Sequence, residues 1–126
     1  MTRVWWVLGL LLVCVALVVC LVPMPQMNQT FSFNDKIAHG LGHAGLAMYF
    51  SGLVERRSWW KLFTFLLLFG VLIEFAQHYM DVGREGDVRD VIFNALGSLT
   101  GLLAGYLGVA RWPVWISWML GKRAVP

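Results

Sequence analysis

The sequence predicts an all-α membrane protein, a bundle of four transmembrane helices followed by a short C-terminal interfacial helix. Of the 126 residues, 59% are hydrophobic and 13% are charged, whereas a soluble domain carries about a quarter charged residues. The apolar residues form four runs, each long enough to cross a hydrocarbon core of roughly 30 Å. At this length we interpret residues 1–126 as a single domain.

Each apolar run is predicted to be a helix, because backbone polar groups in lipid must be paired within the segment. The first run lacks charged residues and follows Met-Thr-Arg, as a signal peptide would, but it is long for one and no small-x-small cleavage site follows. Pro113 near the start of the last apolar stretch favours a short interfacial helix there. The predicted helices cover about residues 4–22, 37–54, 59–80 and 88–110, with an interfacial tail at 112–121.

The basic residues and the tryptophans predict the orientation. With a cytoplasmic N-terminus, seven of the ten Lys and Arg residues fall inside, which is the positive-inside pattern. All seven tryptophans lie at the helix ends that this orientation assigns to the inside. We therefore predict a membrane protein with both termini in the cytoplasm. The basic residues flank apolar runs instead of forming a stripe, so the net charge of +3 favours a membrane over nucleic acid.

Polar side chains from the second, third and fourth predicted helices are expected to meet near the outer surface. Residues three or four apart share a helix face, and the polar residues of each helix follow this spacing. A carboxylate facing lipid would cost several kcal/mol, so these faces are predicted to point inward. The candidate ligand-binding cluster is Asp35, Lys36, His39, Glu74, Gln77, Arg84, Asp87, Asp90 and Asn94.

Three glycines continue the inward stripe of the fourth predicted helix. Gly97, Gly101 and Gly105 form a doubled GxxxG pattern, which lets another helix backbone approach closely. We predict that these glycines are helix-packing residues.

Structural interpretations stay open for several of the candidate residues. Asp35 and Asp87 could be N-caps of the second and fourth helices. Asp90 and Asn94 could provide only interhelical hydrogen bonds. Lys36 could extend outward to the surface.

The sequence does not predict a metal site. His39, His43, Glu74 and His78 offer the nitrogen and oxygen ligands that zinc takes. However, Gly40 follows the first histidine where the helical zinc motif has a glutamate. No cofactor is predicted either.

Several of these residues resemble one family. The segments "DKIAH" (35–39), "EFAQ" (74–77) and "REGDVRDVIFNALG" (84–97) resemble the VanZ-like family of small bacterial membrane proteins, over about residues 35–105. In this resemblance the first helix and the Trp-rich tail are not included, and His43 stands where an aromatic residue is common. The family is named for a glycopeptide-resistance protein associated with teicoplanin. The resemblance implies a protein of the bacterial cytoplasmic membrane and an involvement in antibiotic resistance, but no established biochemical activity.

The favoured function is binding at a polar site in the outer leaflet. The expected ligand is a lipid head group, an envelope precursor or a glycopeptide-type antibiotic, and binding would contribute to resistance. One alternative is a membrane enzyme that acts on a polar lipid through buried Glu, Asp and His residues. Another is an oligomeric small transporter or scaffold. The partners expected are membrane lipids and an amphiphilic or lipid-linked ligand, with homo-oligomerisation left open.

Overall fold

The computed structural model describes residues 2–22, 29–80 and 87–121, with only the backbone given for residues 29–34. Within these ranges every regular element is helical and no strand occurs, which confirms the all-α class. Two 3-10 turns, Arg56–Ser58 and Val109–Arg111, precede the third and fifth helices. The five helices are α1 (Thr2–Leu21), α2 (Gln29–Ser51), α3 (Trp59–Met80), α4 (Val88–Tyr106) and α5 (Trp112–Met119).

By length and apolar composition, two of the described helices can cross a membrane. They are Thr2–Leu21, with a mean hydropathy of 2.9, and Arg56–Met80, with a mean hydropathy of 1.7. The segments Val88–Tyr106 and Val109–Met119 qualify only as one span, and they are bent by 66° relative to each other. The fold is thus a helical bundle with two or three candidate spans, so this test does not establish the four spans predicted from the sequence.

Helix α2 differs most from its prediction. It begins at Gln29, eight residues before the expected start at Ile37, because a polar segment continues the helix ahead of the apolar run. Asp35 therefore lies in the second turn of α2, and its interpretation as an N-cap is wrong. Within residues 35–51, whose side chains are described, the charged and histidine side chains of α2 are half-buried or buried, namely Asp35, Lys36, His39 and His43.

The four long helices alternate in direction. Helices α2 and α4 are parallel, since Lys36 contacts Asp90 at one end of the pair and Ser51 lies against Gly105 at the other. Helix α3 is antiparallel to both and completes the core. The buried apolar core lies between α2 and α3 and contains Leu46, Ala47, Phe50, Leu62, Leu66, Phe69 and Ile73.

The contact between α2 and α4 is made backbone to backbone. A Cβ at Gly97 would collide with the carbonyl oxygen of Gly40, and one at Gly101 would collide with the carbonyl oxygen of Ala44. A Cβ at Gly105 would stand 2.7 Å from the Ser51 hydroxyl oxygen. Each glycine thus lets α2 approach at a successive turn of α4, as close packing in a membrane requires.

Aromatic residues join the ends of α1, α2 and α5, and we call this the aromatic end. The Trp112 indole N–H donates to the Tyr49 carbonyl oxygen at 3.0 Å, and the two rings stack with centroids 4.9 Å apart. The Tyr49 hydroxyl donates to the Trp5 carbonyl oxygen at 2.7 Å. Helix α4 ends at Tyr106, four residues before its predicted end at Ala110, and Gly108, with φ +130°, turns the chain toward α5.

Helix α1 is attached to the bundle at its two ends. Near the aromatic end Gly9, its one buried residue, lies against the ring of Phe50. Most other side chains of α1 are exposed and apolar, as expected for a helix with a lipid-facing surface.

Candidate functional site

Four charged residues from three helices meet at the end opposite the aromatic end. We call Lys36, Glu74, Asp87 and Asp90 the charged cluster. Lys36 comes from α2 and Glu74 from α3, whereas the two aspartates lie at the start of α4. The cluster forms because α4 begins where α3 ends, beside the first turns of α2.

Lys36 bridges the two aspartates. Its Nζ lies 2.6 Å from Asp90 Oδ1 and 3.1 Å from Asp87 Oδ2. The Lys36 and Asp90 side chains are 14% and 7% exposed, whereas Asp87 is 38% exposed. The ion-pair partner of Asp90 is thus Lys36 of α2, and not one of the other candidate residues His39, Glu74 and Gln77. The lysine therefore does not extend outward, and it compensates a buried carboxylate.

Asp87 is the N-cap of α4. Its Oδ1 accepts the backbone N–H of Arg89 at 2.9 Å, and its backbone is extended, as an N-cap requires. The hydrogen bond from Arg89 and the Lys36 ammonium hold the pKa of Asp87 below its ordinary value. Asp87 therefore carries a negative charge at neutral pH while also beginning the helix.

Glu74 is buried with one oxygen unsatisfied. The side chain is 7% exposed, and Oε2 accepts the backbone N–H of Asp87 at 3.1 Å. Oε1 has no hydrogen-bond partner among the described residues. A buried carboxyl oxygen without a donor is costly, so Oε1 is a polar atom that the described residues leave unsatisfied.

Glu74 lies beside a groove between α3 and α4. The groove has a volume of about 290 Å³ and is lined by Glu74, His78 and Asp87 together with four apolar side chains, Val71, Phe75, Val88 and Val91. Ionisable groups and apolar side chains thus share one wall, which suits a molecule with a polar head and an apolar body.

Asp35 and His39 lie next to the charged cluster on α2. Asp35 Oδ2 is 3.7 Å from His39 Nε2, one helical turn away, and His39 is buried. This separation is too long for a hydrogen bond, so the two groups interact through their charges only when the imidazole is protonated.

His43 and Asn94 form a second polar layer, deeper in the bundle. His43 Nδ1 lies 3.1 Å from the His39 carbonyl oxygen, and Asn94 is fully buried. A Cβ at Gly70 would stand 2.9 Å from Asn94 Nδ2 and 3.2 Å from His43 Nε2. Gly70 therefore admits both polar groups to the centre of α2, α3 and α4.

Gln77 donates a hydrogen bond to α1. Its Nε2 donates to the Cys20 carbonyl oxygen at 2.7 Å, and the side chain is 1% exposed. Cys20 lies in the last turn of α1, where carbonyl groups lack helical donors. The structure thus gives Gln77 a structural partner, since its amide attaches the end of α1 to α3.

Replacing Gln77 by leucine is expected to release this end of α1. The variant loses one buried interhelical hydrogen bond, worth about 1–2 kcal/mol. In a Cys14→Ser background, the reaction of Cys20 with a thiol reagent should become faster. Thr100→Val is the matched control, because the Thr100 hydroxyl donates only to the Leu96 carbonyl of its own helix. An unchanged labelling rate in Gln77→Leu would contradict the attachment.

Arg84, the remaining candidate of the ligand-binding cluster, lies outside the described residues. Among the described residues, no group of three or more His, Cys, Asp or Glu side chains could hold a metal ion. The candidate ligand-binding residues did not include His43, His78 and Gly70. The structure places His78 in the groove and the other two in the deeper polar layer. Their spacing from His39 and Glu74 is the sequence signal that could have included them.

Together, the fold and the charged cluster define a class: a helical membrane protein with buried ion pairs at one end. The chain belongs to the VanZ/LLP1 family, whose match covers residues 5–109. This match includes α1, which corrects the narrower resemblance over residues 35–105. No curated protein and no solved structure gives a significant match.

Proposed function

We propose that the chain is a binding protein that holds the head group of an amphiphile at the charged end of its bundle. The observation that carries this proposal is the unsatisfied Oε1 of Glu74 beside a groove that is otherwise largely apolar. Glu74 is itself part of the groove lining, and its other oxygen already accepts the Asp87 backbone N–H.

The charges at the groove select the kind of head group. Glu74 and Asp87 present hydrogen-bond acceptors, and Lys36 is already engaged by two aspartates. A head group with an amine or several N–H and O–H donors complements these acceptors, whereas an exposed phosphate alone would not. The apolar body would lie along Val71 and Val91, facing the hydrocarbon.

Membrane lipids, lipid-linked envelope precursors and glycopeptide-type antibiotics can all present such a head. In this proposal, any contribution to antibiotic resistance acts through the same groove. The charged cluster provides rigidity, because Lys36 and Asp90 hold α4 beside α2.

Lipid analysis of the purified protein tests the site. We expect wild type, extracted in mild detergent, to carry an amine-bearing lipid in excess of its share in the membrane. Glu74→Gln removes the charge with little change of shape and should lose this enrichment while keeping the same thermal stability. Glu55→Gln is the matched control, since Glu55 is exposed and lies between α2 and α3 at the aromatic end.

Equal enrichment in wild type and Glu74→Gln would contradict the proposed site. Conversion of the bound lipid into a new product by wild type, and not by Glu74→Gln, would instead identify an enzyme. Co-purification without conversion favours binding.

We further propose four spans of the cytoplasmic membrane, with both termini inside. Lys36, one of the polar residues of α2, faces α4 and is compensated there by Asp90. The alternating helix directions and the grouping of tryptophans at the aromatic end agree with the positive-inside orientation.

Cysteine labelling tests this topology. In a background without Cys14 and Cys20, Met80→Cys should react with a membrane-impermeant maleimide in intact cells. Ser58→Cys, at the opposite end of α3, should react only after the membrane is opened. Labelling of Ser58→Cys in intact cells would refute the orientation.

A further inference from the structure

A second groove opens at the aromatic end, whereas Glu74 lies at the opposite end of the bundle. It lies between α1 and α3 and has a volume of about 410 Å³, within the range of small-molecule sites. Its walls include Trp6 and Leu10 of α1, Phe50 of α2 and Phe65 of α3. Helix α1 contacts α2 at Gly9, which lies against Phe50, and contacts α3 at Cys20, whose carbonyl oxygen accepts from Gln77.

The polar lining of this groove is confined to one end. Ser58 and Lys61 lie at the start of α3, whereas the remaining lining residues are apolar. Lys61 is exposed, with its Nζ 5.6 Å from the centre of the Trp60 ring. Because Lys61 belongs to the first turn of α3, the positive end of the helix dipole adds to its charge.

The surroundings of Lys61 are also positively charged. Among the described residues at this end, Arg3, Arg56, Arg57, Lys61 and Arg111 are basic, and Glu55 is the acidic one. Glu55 forms an ion pair with Arg57, so its charge is already matched. The Arg56 guanidinium lies 3.9 Å from the centre of the Tyr106 ring.

We propose that this groove binds an anionic phospholipid, with one acyl chain between α1 and α3 and the phosphate at Lys61. An acyl chain requires no hydrogen bonds, which the walls do not offer, and a phosphate requires the positive charge found at the mouth. Trp6 lies beside the mouth, at the depth where tryptophan is favoured next to head groups.

A second helix would suit this groove less well than a lipid. A helix of another chain would have to match the single charged end and the narrow apolar channel together, whereas a lipid has both features in one molecule. The lipid would also fill the gap beside α1 and so support its packing.

Native mass spectrometry of the full-length protein in detergent tests the proposal with two added lipids, dioleoylphosphatidylglycerol and dioleoylphosphatidylcholine. Wild type should retain the anionic lipid several-fold better than the zwitterionic one. Lys61→Gln should lose this preference. Leu10→Trp fills the groove and should lose both lipids, whereas Leu11→Trp, which adds the same side chain outside the groove, should behave as wild type.

Equal retention of both lipids by wild type, or equal retention by Leu10→Trp and Leu11→Trp, would overturn the proposal. A dimer that disappears in Leu10→Trp would do the same, since a second copy would then occupy the groove. Thermal unfolding confirms that each variant is folded. Lys61→Gln should keep the enrichment of the amine-bearing lipid that tests the Glu74 groove, which Lys61 does not line, so the two sites can fail independently.

Discussion

Gly97→Ala is expected to destabilise the protein more than the same change at either of the other two glycines of α4, Gly101 and Gly105. The new Cβ would collide with the Gly40 carbonyl oxygen, which belongs to the α2 backbone and cannot rotate away. Forcing apart a packed interface costs about 1–3 kcal/mol, and the loss should exceed the gain in helix propensity that alanine brings. Reversible unfolding in mixed detergent micelles measures the free energy of unfolding.

Gly42→Ala is the matched control for this experiment. It makes the same substitution in the middle of a helix, but no atom lies within 4 Å of the position where its Cβ would stand. The control should leave the free energy of unfolding unchanged or raise it by about 0.5–1 kcal/mol. If Gly97→Ala were as stable as Gly42→Ala, the contact between α2 and α4 would not have the geometry described.

Replacing Lys36 by methionine is expected to destabilise the bundle by about 3–5 kcal/mol, because Asp90 would remain as a buried charge without its partner. Methionine keeps most of the length of the lysine side chain, so the main loss is the ammonium group. The same unfolding measurement reports the change. In the double variant Lys36→Met/Asp90→Asn, the unpaired charge is gone, and much of the stability should return.

Arg57→Met is the matched control, since it breaks an ion pair of which both members are largely exposed. Such pairs contribute about 0–1 kcal/mol, so the variant should resemble wild type. Equal effects of Lys36→Met and Arg57→Met would show that the charged cluster does not stabilise the fold. Failure of Asp90→Asn to rescue Lys36→Met would show that Lys36 acts through another partner.

The sequence could predict the helices and the depth of their polar residues, but not which side chains form pairs. Depth follows from the rise of about 1.5 Å per residue, which correctly brought Glu74, Asp87 and Asp90 to one level. Pairing depends on the rotation of each helix and on side-chain reach. For these reasons Asp90 pairs with Lys36 instead of a histidine, and Gln77 turns toward α1.

The prediction of helix boundaries from the sequence was limited by a different physical cause. Hydropathy marks where a chain becomes apolar, whereas a helix continues for as long as its backbone hydrogen bonds do. Helix α2 therefore begins at Gln29, well before the apolar run, and α4 ends at Tyr106 although apolar residues follow. The bend after α4 depends on the positive φ of Gly108, which hydropathy does not report.

The pairing of α2 with α4 has a consequence for biosynthesis. Lys36 and Asp90 are separated by 54 positions, so a ribosome completes α2 long before it reaches the aspartate that neutralises this lysine. Until then the polar side of α2 has no partner in α4, and residence in hydrocarbon would be costly. In the proposed four-span topology, stable insertion of α2 therefore has to wait for α4, and a chain truncated after α3 should expose α2 to quality-control proteases.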